Sequence, residues 1–529
     1  MSLLIQKFKK IPFYKSAKVI IFTFASLTAL FITITSYVYY IDIKDMSWCH
    51  DNPLLLLIVF LSACLLINVL SCFVVHSKNP RQCNHILFSV IFLLIMIAGV
   101  WWIANAQSLA QNDALSLYEI AMRIIKDQDY SMITPQNSYL SLWPFQSGLL
   151  LYYELILRII PNYNVVPMEC LNWCYLGLGL ISFYFLMRKW FPEERVITCW
   201  SILLLLCWPW FFYVNFAYGE MPSICLMVFS TWMLTNYLEH HKWQYFILAL
   251  LSTGLGILLR KNLVIFVIAT ILILAVLCFQ SFRKEYLFTI IGLIAVTAFF
   301  STFPQKLYEL RANNTMGSGV SAYGYIAMGL QHSEGISPGW NNGYHSTTLI
   351  ENRFDTEAAN EISKQSIRDS LSYMWQHPDY ACSFFFQKLV PEWCDANYSC
   401  LYSTSIVFYN RTDAAWKIYD GKWTNSILQI MNAYQSILYS GFLLFCIQPV
   451  IRRLRKKHFK QKTDMSWMSL WQLTWIVTII GGFIFYMLWE GGSRYTLPYM
   501  VCMLPYAAVG ISHFNPIFFH PSHSCKPDE

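Results

Sequence analysis

Runs of about twenty apolar residues recur along most of this 529-residue chain, and they restrict its fold severely. A hydrocarbon slab of ~30 Å asks for helices of roughly 20 apolar residues. The other closed solution, a β-barrel, would alternate apolar and polar residues over segments of ~10 residues. Runs such as Leu54–Val75 and Ile86–Ala104 are continuous, so the sequence predicts an all-α polytopic membrane protein. Charged residues make up only 13% of the chain, about half the roughly one quarter usual in soluble domains. Its 20 Trp and 33 Tyr gather at run ends, as interfacial belts do. The net charge of +7 comes mostly from basic residues between the runs, which reads as positive-inside bias and not as a nucleic-acid surface. Most of the 16 Cys lie inside apolar runs, with no CxxC pair and no zinc spacing. Cys394 and Cys400, in a polar segment, are candidates to pair. Lys7, Lys9, Lys10, Lys15 and Lys18 precede the run Val19–Tyr39, which is too long for a signal-peptide core and reads as a retained first span.

Charge parity sets the topology. The candidate spans are Val19–Tyr39, Leu54–Val75, Ile86–Ala104, Cys170–Met187, Ile197–Val214, Pro222–Leu238, Trp243–Leu259, Leu263–Phe279, Tyr286–Phe303, Ile427–Ile447, Leu470–Leu488 and Leu497–His513. Leu140–Ile160, which carries Gln146, Glu154 and Arg158, is ambiguous. If it does not cross, the basic clusters at the amino terminus, Lys78–Arg81, Arg188–Lys189 with Arg195, Arg283–Lys284 and Arg452–Lys457 all fall on the cytoplasmic side. If it crosses, every cluster after it moves outside, against the orientation bias of Lys and Arg. Leu140–Ile160 is therefore expected to be juxtamembrane or re-entrant, leaving about twelve spans with both termini inside. The expected organisation is a transmembrane region over 1–303 with a first outer loop at about 106–166, a small outer domain over 304–426, and C-terminal transmembrane helices with a cytoplasmic tail over 427–529. Within the outer segment, a helix is expected from about Asp355 to Gln376 and a second from Pro378 through Leu389.

Several ionisable residues then collect at span ends on the outer face. Arg260, Lys261 and Arg494 are cations on the side where Lys and Arg are normally depleted, and such residues are functional candidates. A guanidinium at the interface suits a phosphate, which it can grip with two parallel hydrogen bonds; snorkelling to ordinary lipid head groups would produce the same pattern. Glu490 is spaced to form a plain ion pair with Arg494. Asp113 follows the third span and would serve equally as an N-cap for a helix over Ala114–Lys126 or as a general base. Glu220 would either orient a substrate or sit as an acid at a helix N-terminus. The chain carries no P-loop, no dinucleotide fingerprint, no HExxH and no GxSxG.

Three stretches resemble the GT-C superfamily of polytopic glycosyltransferases, in particular its protein O-mannosyltransferase and aminoarabinose-transferase-like branch. Asp113–Ala121 followed by Asp129–Ser131 and Tyr139–Gly148 is similar to the family's first outer loop, with its acidic residue, amphipathic helix and aromatic-Pro segment. Leu255–Lys261 resembles the Gly-x-x-x-x-Arg/Lys span end, and Glu490–Pro498 the Arg-Tyr-x-x-Pro start of a late span. Asn112–Asp113 stands where protein mannosyltransferases carry an Asp-Glu pair. The resemblance implies a GT-C-like fold and sugar transfer, with inversion, from a polyprenyl-phosphate donor to a glycan, lipid or protein acceptor in the cell envelope. It implies Asp113 as general base, with Glu220 as the second catalytic candidate. Arg260, Lys261, Arg494 and Tyr495 would hold the donor phosphate, with Glu490, Tyr139 and Gln146 in support. It implies no required cofactor, leaves a divalent metal open, and places the protein in an inner or plasma membrane with the site facing outward. A polysaccharide polymerase or ligase shares these features; a transporter or flippase of lipid-linked glycans would usually show repeated halves or paired broken helices.

Overall fold

The computed structural model describes residues 13–41, 48–133, 139–161, 164–405, 411–458 and 468–514. The basic residues 452–457 are helical there, but their side chains, together with residues 1–12 and the tail from 515, lie outside the described set.

The fold is all-α, apart from one short hairpin. Helices α1 (Phe13–Val38), α2 (Pro53–Val75) and α3 (Pro80–Ala106) lead, with the antiparallel strands β1 (Tyr39–Ile41) and β2 (Trp48–His50) between the first two. The first outer loop holds α4 (Asn112–Asp127), the short α5 (Tyr139–Leu142) and α6 (Ser147–Ile159). Next come α7 (Val166–Trp190), α8 (Glu194–Leu205), α9 (Trp208–Phe212), α10 (Glu220–His240), α11 (Trp243–Leu259), α12 (Val264–Gln280) and α13 (Lys284–Ala312). The outer segment contains α14 (Ala322–Gly329), α15 (Tyr344–Glu351), α16 (Thr356–Gln376), α17 (Pro378–Cys394), α18 (Cys400–Ser405) and α19 (Asp413–Tyr419). Helices α20 (Thr424–His458), α21 (Thr474–Leu488) and α22 (Leu497–Ser512) complete the bundle.

Helices occupy all twelve positions where the sequence places spans. Eight of the described helices are long and apolar enough to cross a membrane, or nine if the bent pair Glu194–Leu205 and Trp208–Asn215 is one span. That pair kinks by 49° because Pro209, which has no N–H to give and crowds the preceding turn, starts α9 instead of extending α8. The three that fall short are α10, α11 and α22. Two of them run through the middle of the protein: α22 is buried along its length save for Pro498, and α10 buries Ser223, Ser230, Thr231, Thr235 and Asn236. A helix enclosed by other helices needs no lipid-like surface, which lets α10 carry these polar residues; α22 is short, at 16 residues, and not polar. Peripheral α2 and α3 show the reverse, exposing Leu54, Leu55, Leu65, Leu66, Leu93 and Leu94.

Helix α13 runs through Pro304 to Ala312, nine residues past the expected span end at Phe303. The outer segment also has little core of its own. Leu330, Met374 and Phe384 form a small cluster, whereas Leu389, Trp393, Tyr398 and Leu401 belong to the main core with α20 to α22. Phe386 of α17 packs on Phe31, Tyr39 and Trp48 of the first span and its hairpin. Helix α16 starts where expected, capped by Asp355, whose side chain accepts from the Glu357 and Ala358 amides. Cys394 and Cys400 are both buried free thiols, not a disulfide.

Leu140–Ile160 is not one long helix. It breaks at Trp143–Pro144 into α5, a 3₁₀ turn and the 13-residue α6, consistent with a juxtamembrane segment. Its anchor is Glu154. One carboxylate oxygen accepts from Arg311 at 2.7 Å and Arg158 at 2.8 Å; the other accepts from Arg311 at 2.8 Å and Tyr308 at 2.6 Å. Burial opposes ionisation, but the donors from Arg311, Tyr308 and Arg158 outweigh it and hold the pKa at about 2. The pair ties α6 to the outer end of α13, and Leu117, Ile120 and Ile124 of α4 pack in the same cluster as Leu149, Leu150 and Tyr153 of α6.

Two outcomes are expected. Because the folded-state pKa of Glu154 lies below its ordinary 4.5, its contribution is complete above that pH and is lost as pH falls toward 2. Arg311→Ala should cost about 2–3 kcal/mol, read as a lower melting temperature, since Arg158 and Tyr308 stay in place. In single-cysteine variants, a membrane-impermeant maleimide should label the exposed Cys382 from outside, and Cys83 only after permeabilisation; the opposite result would invert the topology.

Candidate functional site

One end of the bundle encloses a cavity of about 520 Å³, bordered by Asp113, Tyr139, Gln146, Arg260, Lys261, Glu490, Arg494 and Tyr495. Eight of the nine residues singled out from the sequence therefore meet in one space, although they come from four separate stretches of chain. The ninth, Glu220, sits just behind the wall, with Arg260, Arg494 and Tyr495.

Glu220 organises that wall. It is 3% exposed, and its Oε1 lies 2.9 Å from Arg260 Nη2 and 3.4 Å from Arg494 Nε. The Gly219 amide donates to Oε2 at 3.1 Å. A Cβ on Gly219 would lie 2.4 Å from the Leu259 carbonyl oxygen, so only glycine lets the 218–220 turn come close enough for Glu220 to reach Arg260. The expected Glu490–Arg494 ion pair is not what forms. Arg494 turns to Glu220, and Glu490 instead accepts from the Tyr495 hydroxyl at 3.3 Å. Burial raises the pKa of Glu490, against the pull of Arg494.

Aromatic rings fix the cations in place. Arg260 lies 4.9 Å from the Tyr218 ring centre and 5.5 Å from that of Tyr495; Arg494 lies 5.5 and 5.3 Å from the same two rings. Stacking of this kind suits the flat guanidinium. Lys261 lies 5.6 Å from the Phe145 ring, and burial lowers its pKa. Among the described residues Lys261 makes no ion pair; Glu220 is the carboxylate paired with Arg260 and Arg494, while Asp113 and Glu490 border the same cavity.

Asp113 lies in the first turn of α4, but it is not the cap. Gln111 holds the cap position, and Asn112 takes the left-handed conformation (φ 45°) that Asn tolerates. This leaves the Asp113 carboxylate turned to the cavity wall, where the Tyr218 hydroxyl donates to its Oδ2 at 3.0 Å. Tyr218 in turn accepts from Gln146 Nε2. The sequence gives no hint of this relay: a tyrosine 105 positions away carries no signature. The buried Tyr139 hydroxyl is close to both, and burial with those neighbours raises its pKa.

Two residues of the outer segment also went unremarked. His345 of α15 borders the cavity, is 5% exposed, and has no hydrogen-bond partner for Nδ1 among the described residues. Burial lowers its pKa to about 4, so it is neutral at pH 7. The fully buried Lys388 of α17 donates to the carbonyls of Gly329 (2.6 Å), Trp489 (2.7 Å) and Met487 (3.1 Å). It clamps the outer segment to the loop that carries Glu490 and Arg494. On the opposite side, Gly319 (φ +65°) brings the 317–320 loop onto Pro144, where a Cβ would meet the proline ring at 2.3 Å. Among the described residues no group of three or more His, Cys, Asp or Glu side chains is arranged to hold a metal ion.

The result is a polytopic helical bundle with carboxylates and partly buried cations gathered in one cavity at one end. Residues 153–303 match the family model described as dolichyl-phosphate-mannose-protein mannosyltransferase, which supports a membrane glycosyltransferase of the GT-C type. No curated protein matches the chain. The matched stretch contains Glu220, Arg260 and Lys261, while Asp113 and Arg494 lie on either side of it.

Glu220→Ala strands two buried guanidiniums. It should lower stability by roughly 3 kcal/mol, measured as a fall in melting temperature in detergent, and Glu220→Gln should fall in between.

Proposed function

We propose that this cavity transfers a sugar from a polyprenyl-phosphate donor to a hydroxyl of an envelope glycan, lipid or protein, on the outer face of an inner or plasma membrane. The observation that carries the reading is the juxtaposition in one cavity of the Tyr218-held carboxylate of Asp113 with the cations Arg260, Lys261 and Arg494. Asp113 accepts the proton of the acceptor hydroxyl as its oxygen attacks the anomeric carbon. The anomeric carbon–oxygen bond breaks with inversion, and the phosphate leaves with the electron pair toward the guanidiniums. Fixed positive charge in a partly dry site stabilises such a leaving group without reorganisation. Tyr495, Tyr139 and Gln146 line the space and orient its charged groups. Glu220, paired on both sides by arginine, acts in this reading as a positioning residue for the phosphate site and not as a second base. Neutral His345 faces the same space as a hydrogen-bonding group for sugar hydroxyls.

The test is consumption of synthetic polyprenyl-phosphate sugars by the purified protein. Asp113→Asn should lower transfer by about a thousandfold with melting unchanged; wild-type rates in this variant would remove Asp113 as the base. Arg494→Ala should lose about a hundredfold. EDTA should leave the rate unaltered where arginine and lysine alone carry the phosphate charge; a loss restored by a divalent ion would assign Asp113 to a metal instead.

A further inference from the structure

A second cavity, of about 480 Å³, opens at the same end of the bundle, and none of its lining residues falls within 153–303. Its walls come from the hairpin between the first two spans (Tyr40, His50, Asp51, Asn52), from the turn after α17 (Asp395, Asn397), and from the outer end of α20 (Asn425, Gln429, Asn432). The volume lies within the roughly 300–1,000 Å³ common for small-molecule sites.

The chemistry of the lining is selective. None of its lining residues is Lys or Arg, so an anion finds no counter-charge there. Each carboxylate already carries an amide: Asn432 Nδ2 donates to Asp51, and Asn397 Nδ2 donates to Asp395. Asp395 also accepts from the amides of Asn397 (3.1 Å) and Ser399 (2.9 Å). Both asparagines keep an Oδ1 without a hydrogen-bond partner among the described residues, and Asn397 is only 2% exposed. An unmatched buried acceptor costs about 1–3 kcal/mol and is satisfied by a ligand that donates. Alternating amide donors and acceptors match the hydroxyls of an uncharged pyranose, and the Tyr40 ring at the rim offers a flat face for its apolar side.

We infer that this second cavity is a binding site for an uncharged glycan, separate from the Asp113 cavity. A hydrogen bond ties its wall to the chain segment that borders the first. Ser493 Oγ donates to Asp395 Oδ2 at 2.5 Å, and the next residue is Arg494. A glycan seated against Asn397 and Asp395 is thus one hydrogen bond from the backbone that carries the phosphate-site arginine. The inference requires nothing of the chemistry in the first cavity, since it is read from binding alone.

The test is saturation-transfer NMR on the purified full chain in detergent, with maltotetraose, cellotetraose and mannotetraose as probes and sialyllactose as the anionic control. At least one neutral tetrasaccharide should bind. Asn432→Ala combined with Gln429→Ala should weaken it by about tenfold or more, and so should Tyr40→Ala, which leaves the Asp51–Asn432 pair intact if the double variant folds poorly. Asp113→Asn should bind as wild type does. Absence of binding by all three neutral probes, preference for sialyllactose, or loss of binding in Asp113→Asn but not in the second-cavity variants would overturn the proposal. Failure of the transfer assay would leave this result untouched.

Discussion

One buried carboxylate shared by two arginines sets the geometry of the end of the bundle that holds the cavity. Glu220 begins a helix in the middle of the bundle, Arg260 ends the next one, and Arg494 precedes the last. Separately, each guanidinium would be costly at that depth; together around one acid they leave a net positive charge that is held, not free to collapse onto the nearest carboxylate. The tyrosines between them hold the stack apart. Tyr218 touches both arginines with its ring and Asp113 with its hydroxyl. Asp113 and the arginine-paired Glu220 are therefore kept apart by a single aromatic side chain.

The outer segment is subordinate to that arrangement. Its own core amounts to a few residues, and it is held by borrowed contacts: Lys388 on three carbonyls, the Gly491 amide on Gly339, and Phe386 on the first span. Burial pulls the Lys388 pKa down to about 8, which still leaves a cation at neutral pH to hold those carbonyls. The segment roofs the cavity with His345, Tyr325 and Asn341, residues that belong neither to the bundle nor to the matched stretch.

Long apolar runs and the sidedness of Lys and Arg made the helical class and the helix positions legible, because hydrocarbon thickness and charge bias act on local sequence. The same logic brought Asp113, Arg260, Lys261, Arg494 and Glu490 to one face. It could not pair them. Glu490 lies four residues from Arg494 and was the natural partner by spacing; Glu220, 274 positions away, is the actual one. Tyr218 and His345 stayed hidden for the same reason, since a tyrosine beside a span and a histidine in a polar loop look ordinary until the fold brings them to a cavity. Helix α13 passing through Pro304 is a different kind of miss: a proline marks a boundary only when neighbouring contacts do not carry the helix past it.

The Lys388 clamp has a consequence for assembly. Two of its three carbonyl acceptors, on Met487 and Trp489, lie about a hundred residues downstream of the lysine. A chain that enters the membrane from its amino terminus can set α1 to α13 in place while the outer segment still has nothing to close upon. The roof settles only after α21 has crossed. Until then Asp113, Arg260 and Lys261 lack both that roof and Arg494, which follows α21 in the chain, so the charged compartment is completed among the final events of biogenesis.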